Sequence, residues 1–169
     1  VEYEKVPMAD HNMDEIRASK TPDDIPYSGN KGIKLVDVRN GKASMKDFIA
    51  QLTDDDLCCI VRGEGMGSLK VTLGTAAAFG GVNKHLAELG IPCGCCDDGP
   101  SGLRLDSGVK AFNMPNGTLM ACTFNPELMT ELFTFTGIEM KLNKIDCLLG
   151  PGINIHRHPL NGRNFEYFS

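Results

Sequence analysis

The most regular hydrophobic pattern in the chain lies in its second half. Asn125-Pro126-Glu127 offers an N-cap, a proline at the first helical position and an acid in the first turn. Apolar residues then recur every three or four positions, at Leu128, Leu132, Phe135, Ile138 and Leu142. This spacing predicts a long amphipathic helix.

Short apolar runs around this helix predict buried strands. Residues 91–96, 118–123 and 145–149 are almost continuously apolar or small, which is typical of strands covered on both faces. A short helix at 84–89, ended by Gly90, precedes the first of them. Strands that alternate with helices in this way predict an α/β fold with a parallel sheet.

The first half of the chain is less regular. Residues 33–38 alternate like a half-exposed strand, and Asn40-Gly41 then turns the chain. Helices are predicted at 44–52 and after Thr53, whose hydroxyl can cap the amides ahead of it. Leu57, Ile60 and Val61 would face inward from the second helix. We expect residues 1–44 to be an approach segment or linker and residues 45–169 to belong to one domain.

Composition narrows the classes of partner. The chain has 169 residues, 41% of them hydrophobic, and a net charge of −5, so it can form a core but has little electrostatic attraction for nucleic acid. Its apolar runs all fall short of the roughly 18 residues that a membrane span requires. We therefore expect neither nucleic acid nor a membrane as a partner.

The seven cysteines fit reduced thiols better than disulfides, because their number is odd and Cys58 and Cys59 are adjacent. Cys93-Gly94-Cys95-Cys96 contains a C-x-x-C that could serve as a redox pair or half a zinc site, but a second spaced pair is lacking. We expect the cysteines to pack as small hydrophobic residues in a cytoplasmic protein, with no metal.

A glycine-rich stretch invites a phosphate-binding interpretation. Gly63-Glu64-Gly65-Met66-Gly67 begins like a dinucleotide fingerprint, but Ser68 stands where the last glycine is required. We interpret residues 63–82 as an ordered loop and predict no cofactor.

Two predicted strands end in loops that carry charged residues. The strand at 91–96 runs into Asp97-Asp98-Gly99-Pro100, and the strand at 145–149 runs into a Gly-Pro loop that leads to His156, Arg157 and His158. Polar loops at consecutive strand ends are expected at the C-terminal face of a (β/α)8 barrel, with a doubly wound sheet as the alternative. A complete barrel takes about 250 residues. The chain would therefore hold only the first part of a TIM-like barrel, and the remaining strands would come from its continuation or from a second chain.

These loops resemble one enzyme family. The order Asp-Gly-Pro-Ser-Gly-Leu-Arg at 98–104, Pro-Asn-Gly-Thr at 115–118, Ala-Cys-Thr-Phe-Asn at 121–125 and Leu-Gly-Pro-Gly-Ile-Asn-Ile-His-Arg-His-Pro-Leu-Asn-Gly-Arg-Asn-Phe-Glu-Tyr-Phe-Ser at 149–169 is similar to glycoside hydrolase family 3, the β-glucosidase-type enzymes. The resemblance runs from about Leu52 to Ser169. It implies a retaining, exo-acting hydrolase of β-linked glucosides or oligosaccharides. This chain would be the N-terminal part of the barrel domain of that enzyme.

The resemblance also implies roles for individual residues. Asp98 matches the aspartate that binds hydroxyls of the sugar next to the cleaved bond, and Arg104 and Arg163 match sugar-binding arginines. A carboxylate can accept from two vicinal hydroxyls, and a guanidinium donates in a rigid fork. The alternative for both arginines is a salt bridge, with Asp98 or Glu166 as the partner.

Other polar residues near these loops are expected to have supporting roles. Glu166 and His156 would support the loop, with His156 more buried than His158, and Asp97 would cap the loop or be solvated. The chain has no Trp, so an aromatic platform for the sugar would come from Phe165, Tyr167, Phe168 or further sequence. The resemblance implies that the nucleophile and the acid/base lie outside this chain, which alone should be inert.

Two functions of other classes stay open at this point. The first is a non-catalytic carbohydrate-binding or scaffold module of the same fold, which keeps Asp98 and Arg163 without the chemistry. The second is a flavodoxin-like redox protein that uses the cysteine cluster. Sequence beyond Ser169 would separate the enzyme from the module, and bound flavin would reveal the redox protein.

Overall fold

A three-stranded mixed sheet organises the chain in the computed structural model, which describes residues 11–169. The strands are β1 (Ala77–Gly80), β2 (Cys93–Asp98) and β3 (Cys147–Leu149), in that order across the sheet. β2 and β3 are parallel, with Asp98 opposite Leu149. The expected all-parallel sheet is wrong at β1, which is antiparallel to β2 and lies inside the predicted 63–82 loop.

Seven helices accompany this sheet within residues 11–169. They are α1 (Met13–Lys20), α2 (Leu35–Arg39), α3 (Met45–Ala50), α4 (Asp54–Arg62), α5 (Lys84–Glu88), α6 (Gly117–Ala121) and α7 (Pro126–Leu142), followed by a short 3-10 helix at Asn164–Glu166. The predicted helices at 44–52, after Thr53, at 84–89 and after Asn125 are confirmed as α3, α4, α5 and α7. Each begins at a side chain that accepts a backbone N–H, as Thr53 accepts from Asp56.

Two predicted strands are helices. Residues 33–38 contribute to α2, where the Asp37 carboxylate accepts the Lys34 amide at 3.0 Å. Residues 118–123 fall mostly in α6, which begins where Asn116 Oδ1 accepts the Leu119 amide at 2.9 Å. In both segments a side-chain cap stabilises the helical turn, and it outweighs the strand preference of a short apolar run.

Two hydrophobic clusters form the core. The first joins Phe48, Leu52, Leu86 and Leu89, and Ile33, Leu35 and Val38 pack against it from the N-terminal part. The second lies on one face of the sheet and joins Cys95, Leu103, Leu105 and Ile145. On α4, Ile60 packs inward as predicted, but Leu57 is exposed and Val61 is 89% exposed. The buried residue of α4 is Asp56, a polar side chain.

Asp56 is buried because it joins α4 to α5 by hydrogen bonds. Its carboxylate accepts from Asn83 Nδ2 at 3.0 Å, from the Thr53 hydroxyl at 2.8 Å and from His85 Nδ1 at 2.8 Å. Burial alone would raise the pKa of Asp56, but the bonds from Asn83, Thr53 and His85 outweigh it and lower the pKa to about 2. His85 Nε2 lies 3.0 Å from Asn30 Nδ2, which ties the N-terminal segment to the same network.

The face of the sheet opposite the second cluster is exposed. The prediction that the strands are covered on both faces is therefore wrong. Cys147 and Leu149 of β3 are exposed, whereas the neighbouring Leu148 packs into the second cluster. The apolar residues of α7 are also partly uncovered. Its exposed members are Leu128, Phe135, Ile138 and Leu142.

The cysteines are all free, but only Cys95 is buried. Cys58, Cys122 and Cys147 are exposed, so packing as buried hydrophobic residues does not describe them. Across residues 11–169, no group of three or more His, Cys, Asp or Glu residues is arranged to hold a metal ion. Within the same range, no helix is both long and apolar enough to cross a bilayer.

Candidate functional site

Asp98 is the last residue of β2, and a tight loop follows it. The Arg104 amide donates to the Asp98 carbonyl at 2.9 Å, and the Gly102 amide donates to the Gly99 carbonyl at 3.2 Å. Gly99 has a φ of +141°, and a Cβ there would lie 1.8 Å from the Gly102 carbonyl oxygen. Only glycine fits this position, so the Gly-Pro-Ser-Gly sequence gives the loop its shape.

A second loop returns to the end of β3. After Leu149 the chain passes a cis Gly150-Pro151 bond, and the Gly152 carbonyl accepts the Phe168 amide at 3.0 Å. The Thr118 hydroxyl donates to the Tyr167 carbonyl at 2.9 Å. These bonds hold residues 163–168 beside the carboxyl ends of β2 and β3.

The two loops enclose a cavity of about 380 Å³. This volume falls in the range of about 300–1,000 Å³ that is usual for small-molecule sites. Its lining includes Asp98, Leu149, Asn154, Arg163, Glu166 and Tyr167. Asp98 and Arg163, separated by 65 positions in the sequence, therefore face one cavity.

Arg163 is paired in this cavity with Glu166. Its Nε donates to the Glu166 carboxylate three residues ahead, and this bond raises the pKa of Arg163. The Glu166 side chain is only 16% exposed, whereas that of Arg163 is 72% exposed. One edge of the guanidinium is thus held by Glu166, and other N–H groups can still donate to a ligand.

Arg104 lies beside the cavity in a second ion-pair arrangement. Its Nε donates to Asp106 Oδ1 at 3.2 Å, and its Nη1 lies 3.9 Å from Asp98 Oδ2. With Asp98 it also lines a smaller space of about 40 Å³. The salt bridge anticipated as the alternative for Arg104 is present, while one face of Asp98 stays open to the larger cavity.

The two histidines of the second loop are both exposed, so the expected burial of His156 is wrong. His156 stacks on Tyr167, with ring centroids 6.0 Å apart. The His158 carbonyl accepts from Asn164 Nδ2 at 2.8 Å. Both contacts lie within the loop that carries Arg163.

Asp97 is the clearest departure from expectation near the site, because it is not solvated. Its residue exposure is 0%, and neither carboxylate oxygen has a partner in hydrogen-bond geometry. Burial raises the pKa of Asp97, and the nearby amides of Asp98, Arg104 and Ala76 offset only part of this effect. Asp97 points to the covered side of the sheet, and Asp98 lines the cavity on the other side.

Sequence reasoning missed Asn154 and named Tyr167 only as one of several aromatic candidates. Asn154 Oδ1 accepts from Arg157 Nη1 at 3.1 Å, and the Tyr167 hydroxyl accepts from Asn161 Nδ2 at 3.0 Å. Both residues line the cavity. The position of Asn154 directly after Gly-Pro-Gly-Ile, at a strand end, was the available signal.

Comparison with known proteins gives one consistent result. A β-glucosidase of Ruminococcus albus is 65% identical over 99% of this chain. The crystal structure of a β-glucosidase from Paenibacillus barengoltzii superposes with a TM-score of 0.87 at 57% identity, over 98% of this chain. The structure of β-glucosidase 3B from Thermotoga neapolitana, in complex with glucose, gives 0.62 at 32% identity over 73% of this chain.

The resemblance noted from the sequence motifs began at about Leu52, whereas the similarity to these proteins also includes nearly all residues before it. The chain spans 18% of the length of the Ruminococcus albus and Paenibacillus barengoltzii proteins. Profiles of known protein families gave no match. The relatives, read together with the loops at 98–104 and 149–169, show that this chain belongs to glycoside hydrolase family 3, the β-glucosidase-type enzymes.

Proposed function

We propose that this chain supplies glucose-binding residues of the −1 subsite in a retaining, exo-acting β-glucosidase. The substrate is a β-glucoside or oligosaccharide with a terminal non-reducing β-D-glucosyl residue. The observation that carries the proposal is the shared cavity of Asp98 and Arg163 at the carboxyl ends of the parallel strands β2 and β3. Binding sites of parallel α/β folds form at this end of the strands.

The chemistry of the cavity suits a sugar ring. Asp98 offers two acceptor oxygens to adjacent hydroxyls, and Arg163 offers donors on the guanidinium edges that Glu166 leaves free. Tyr167 supplies an aromatic surface in the same cavity. Arg104 would support Asp98 from the side through the contact at 3.9 Å. His156 and Glu166 keep the Arg163 loop in place.

The catalytic step needs more than these residues. A retaining glycosidase uses two carboxyl groups about 5 Å apart, one as nucleophile and one as acid/base. In the cavity described here Asp98 is assigned to binding, and Glu166 is paired with Arg163. As the resemblance to the family implies, the nucleophile and acid/base would come from sequence outside this chain.

Residues 45–169 would be the first part of a (β/α)8 barrel, entered through residues 1–44, with β2 and β3 as neighbouring barrel strands. The remaining strands would come from further sequence or a second chain. Seven free cysteines support a reducing, cytoplasmic location.

Glucose binding to the chain tests the assignment directly. Asp98→Asn and Arg163→Lys should each weaken the affinity for D-glucose, measured by saturation-transfer NMR, because each contact to a charged group contributes about 1.5–3 kcal/mol. This corresponds to roughly a 10- to 150-fold change in Kd. Asp55→Asn and Arg62→Lys are matched controls on α4, outside the cavity, and should leave the Kd unchanged.

Equal glucose affinity for the parent chain and Asp98→Asn would refute the assignment of Asp98. An aryl β-glucoside assay on the chain alone should show no turnover above background. Turnover would mean that the catalytic carboxylates lie within this chain after all.

A further inference from the structure

Two cysteine side chains lie side by side on the open face of the sheet. Cys96 of β2 is the direct partner of Cys147 of β3 in the parallel register, so the two side chains leave the sheet on the same face. Cys147 is also one of the groups that raise the pKa of Cys96, as expected for neighbouring thiols. Strands about 4.8 Å apart give a Cα separation inside the range of about 4.4–6.8 Å that a disulfide can bridge.

This pair is distinct from the other cysteines. Cys95 points to the opposite, covered face of the sheet and is 2% exposed. Cys93 lies at the far end of β2, Cys58 and Cys59 belong to α4, and Cys122 lies at the end of α6. In this chain taken alone, Cys96 is half-buried and Cys147 is exposed, so a small reagent reaches Cys147 first, whereas further barrel strands would cover this face.

We propose that Cys96 and Cys147 form a dithiol modification site, which small disulfides such as oxidised glutathione convert into a cross-strand disulfide. The Cys147 thiolate attacks one sulfur of the reagent, which releases one glutathione thiol and leaves a mixed disulfide. Cys96 Sγ then attacks the Cys147 sulfur and releases the second glutathione thiol. Two protein thiols are oxidised, and one glutathione disulfide is reduced to two thiols.

The surroundings of the pair determine how the second step depends on pH. Burial and then the adjacent Cys147 thiol raise the pKa of Cys96 to about 11. The thiolate is the nucleophile, and burial still raises the pKa of Cys96 when Cys147 carries glutathione. Ring closure should therefore be slow at neutral pH and should accelerate as the pH rises in mildly alkaline buffer. The mixed disulfide at Cys147 should therefore accumulate at neutral pH.

The position of the pair gives the modification a structural effect. Cys96 and Cys147 lie one layer below Asp98 and Leu149 on the same face of the sheet, because side chains two positions apart on a strand share a face. A covalent bond here would join β2 to β3 directly beneath the cavity. This inference does not depend on what the cavity binds.

The test is to treat the folded chain with oxidised glutathione at alkaline pH and to digest it with trypsin without reduction. The expected product joins the peptide 85–104, which contains Cys96, to the peptide 145–157, which contains Cys147. Cys96→Ser and Cys147→Ser should each abolish the cross-link. Cys93→Ser, which alters the same tryptic peptide, should keep it.

Two further measurements make the result decisive. Circular dichroism establishes that each variant is folded, and the same reaction in urea should lose its preference for this pair. A cross-link that survives in Cys96→Ser, or a folded parent chain that forms only glutathione adducts at alkaline pH, would overturn the proposal.

Discussion

The buried carboxyl group of Asp97 should make the stability of the chain fall as the pH rises, and Asp97→Asn should remove this dependence. Asp97 is 0% exposed and both of its oxygens lack a hydrogen-bond partner, so its ionised form is costly in the folded chain. The replacement keeps the shape of the side chain and cannot ionise.

The sign follows from proton binding in the two states. The folded pKa of Asp97 lies above its ordinary value of 3.8, because burial disfavours the charge. Below pH 3.8 both the folded and the unfolded chain keep the proton, so the carboxyl group does not lower stability through ionisation. At higher pH the unfolded chain releases the proton first, so the parent chain loses up to about 1.4 kcal/mol per pH unit relative to Asp97→Asn.

A buried acceptor without a partner costs about 1–3 kcal/mol, and more when it is charged. We therefore expect the free energy of unfolding of Asp97→Asn to rise relative to that of the parent chain as the pH increases above 3.8, by up to about 1.4 kcal/mol per pH unit. Urea denaturation of both proteins, followed by circular dichroism, measures this difference.

The neighbouring acid provides the control. The Asp98 side chain is 44% exposed, so Asp98→Asn is the matched replacement of a carboxyl group that is not buried. A stability difference for Asp97→Asn that stays constant, or that shrinks as the pH rises, would refute the reasoning. It would show that Asp97 is ionised and paired in the folded chain.

Three other replacements test separate contacts. Asp56→Ala should lower the free energy of unfolding by about 1.5–3 kcal/mol at neutral pH, because it removes hydrogen bonds to a charged group. This loss should diminish as the pH falls from 3.8 towards 2, and a loss that does not change with pH would contradict the hydrogen bonding of Asp56. Gly99→Ala should lower Tm and unfolding free energy by more than about 1 kcal/mol, because its Cβ would meet the Gly102 carbonyl at 1.8 Å; an unchanged Tm would exclude this loop geometry. A Cβ at Gly137 on α7 would meet open space, and alanine favours the helix more than glycine does. Gly137→Ala should therefore raise the free energy of unfolding by about 0.8–1 kcal/mol in urea denaturation, whereas a decrease would show that this position is covered.

Local signals in the sequence predicted the capped helices well and the short segments poorly. Thr53 and Asn125 begin helices because their side chains satisfy backbone amides within a few residues, which is information contained in the local sequence. Residues 33–38 and 118–123 have strand-like composition, and only their caps and the packing of α2 on the first cluster make them helical. Strand β1 was missed because its small residues carry no periodic signal.

The candidate site was predictable in part. The Gly-Pro loops after two apolar strands indicated where charged side chains gather, and the structure brings Asp98 and Arg163 to one cavity. Their roles in sugar binding stay predictions. The burial of Asp97 could not be predicted, because it depends on the loop around Ala76, which lies 21 positions away in the sequence. Adjacent aspartates look alike in a sequence, although a strand sends them to opposite faces.

The uncovered side of the sheet and the exposed apolar residues of α7 have a practical consequence for work with this chain. Leu149 is 51% exposed, and Phe135 and Ile138 on α7 are 51% and 52% exposed. Exposed apolar surface of this kind promotes self-association. Sedimentation at several concentrations should therefore accompany every binding measurement, since a dimer would hide these surfaces and distort the apparent stoichiometry.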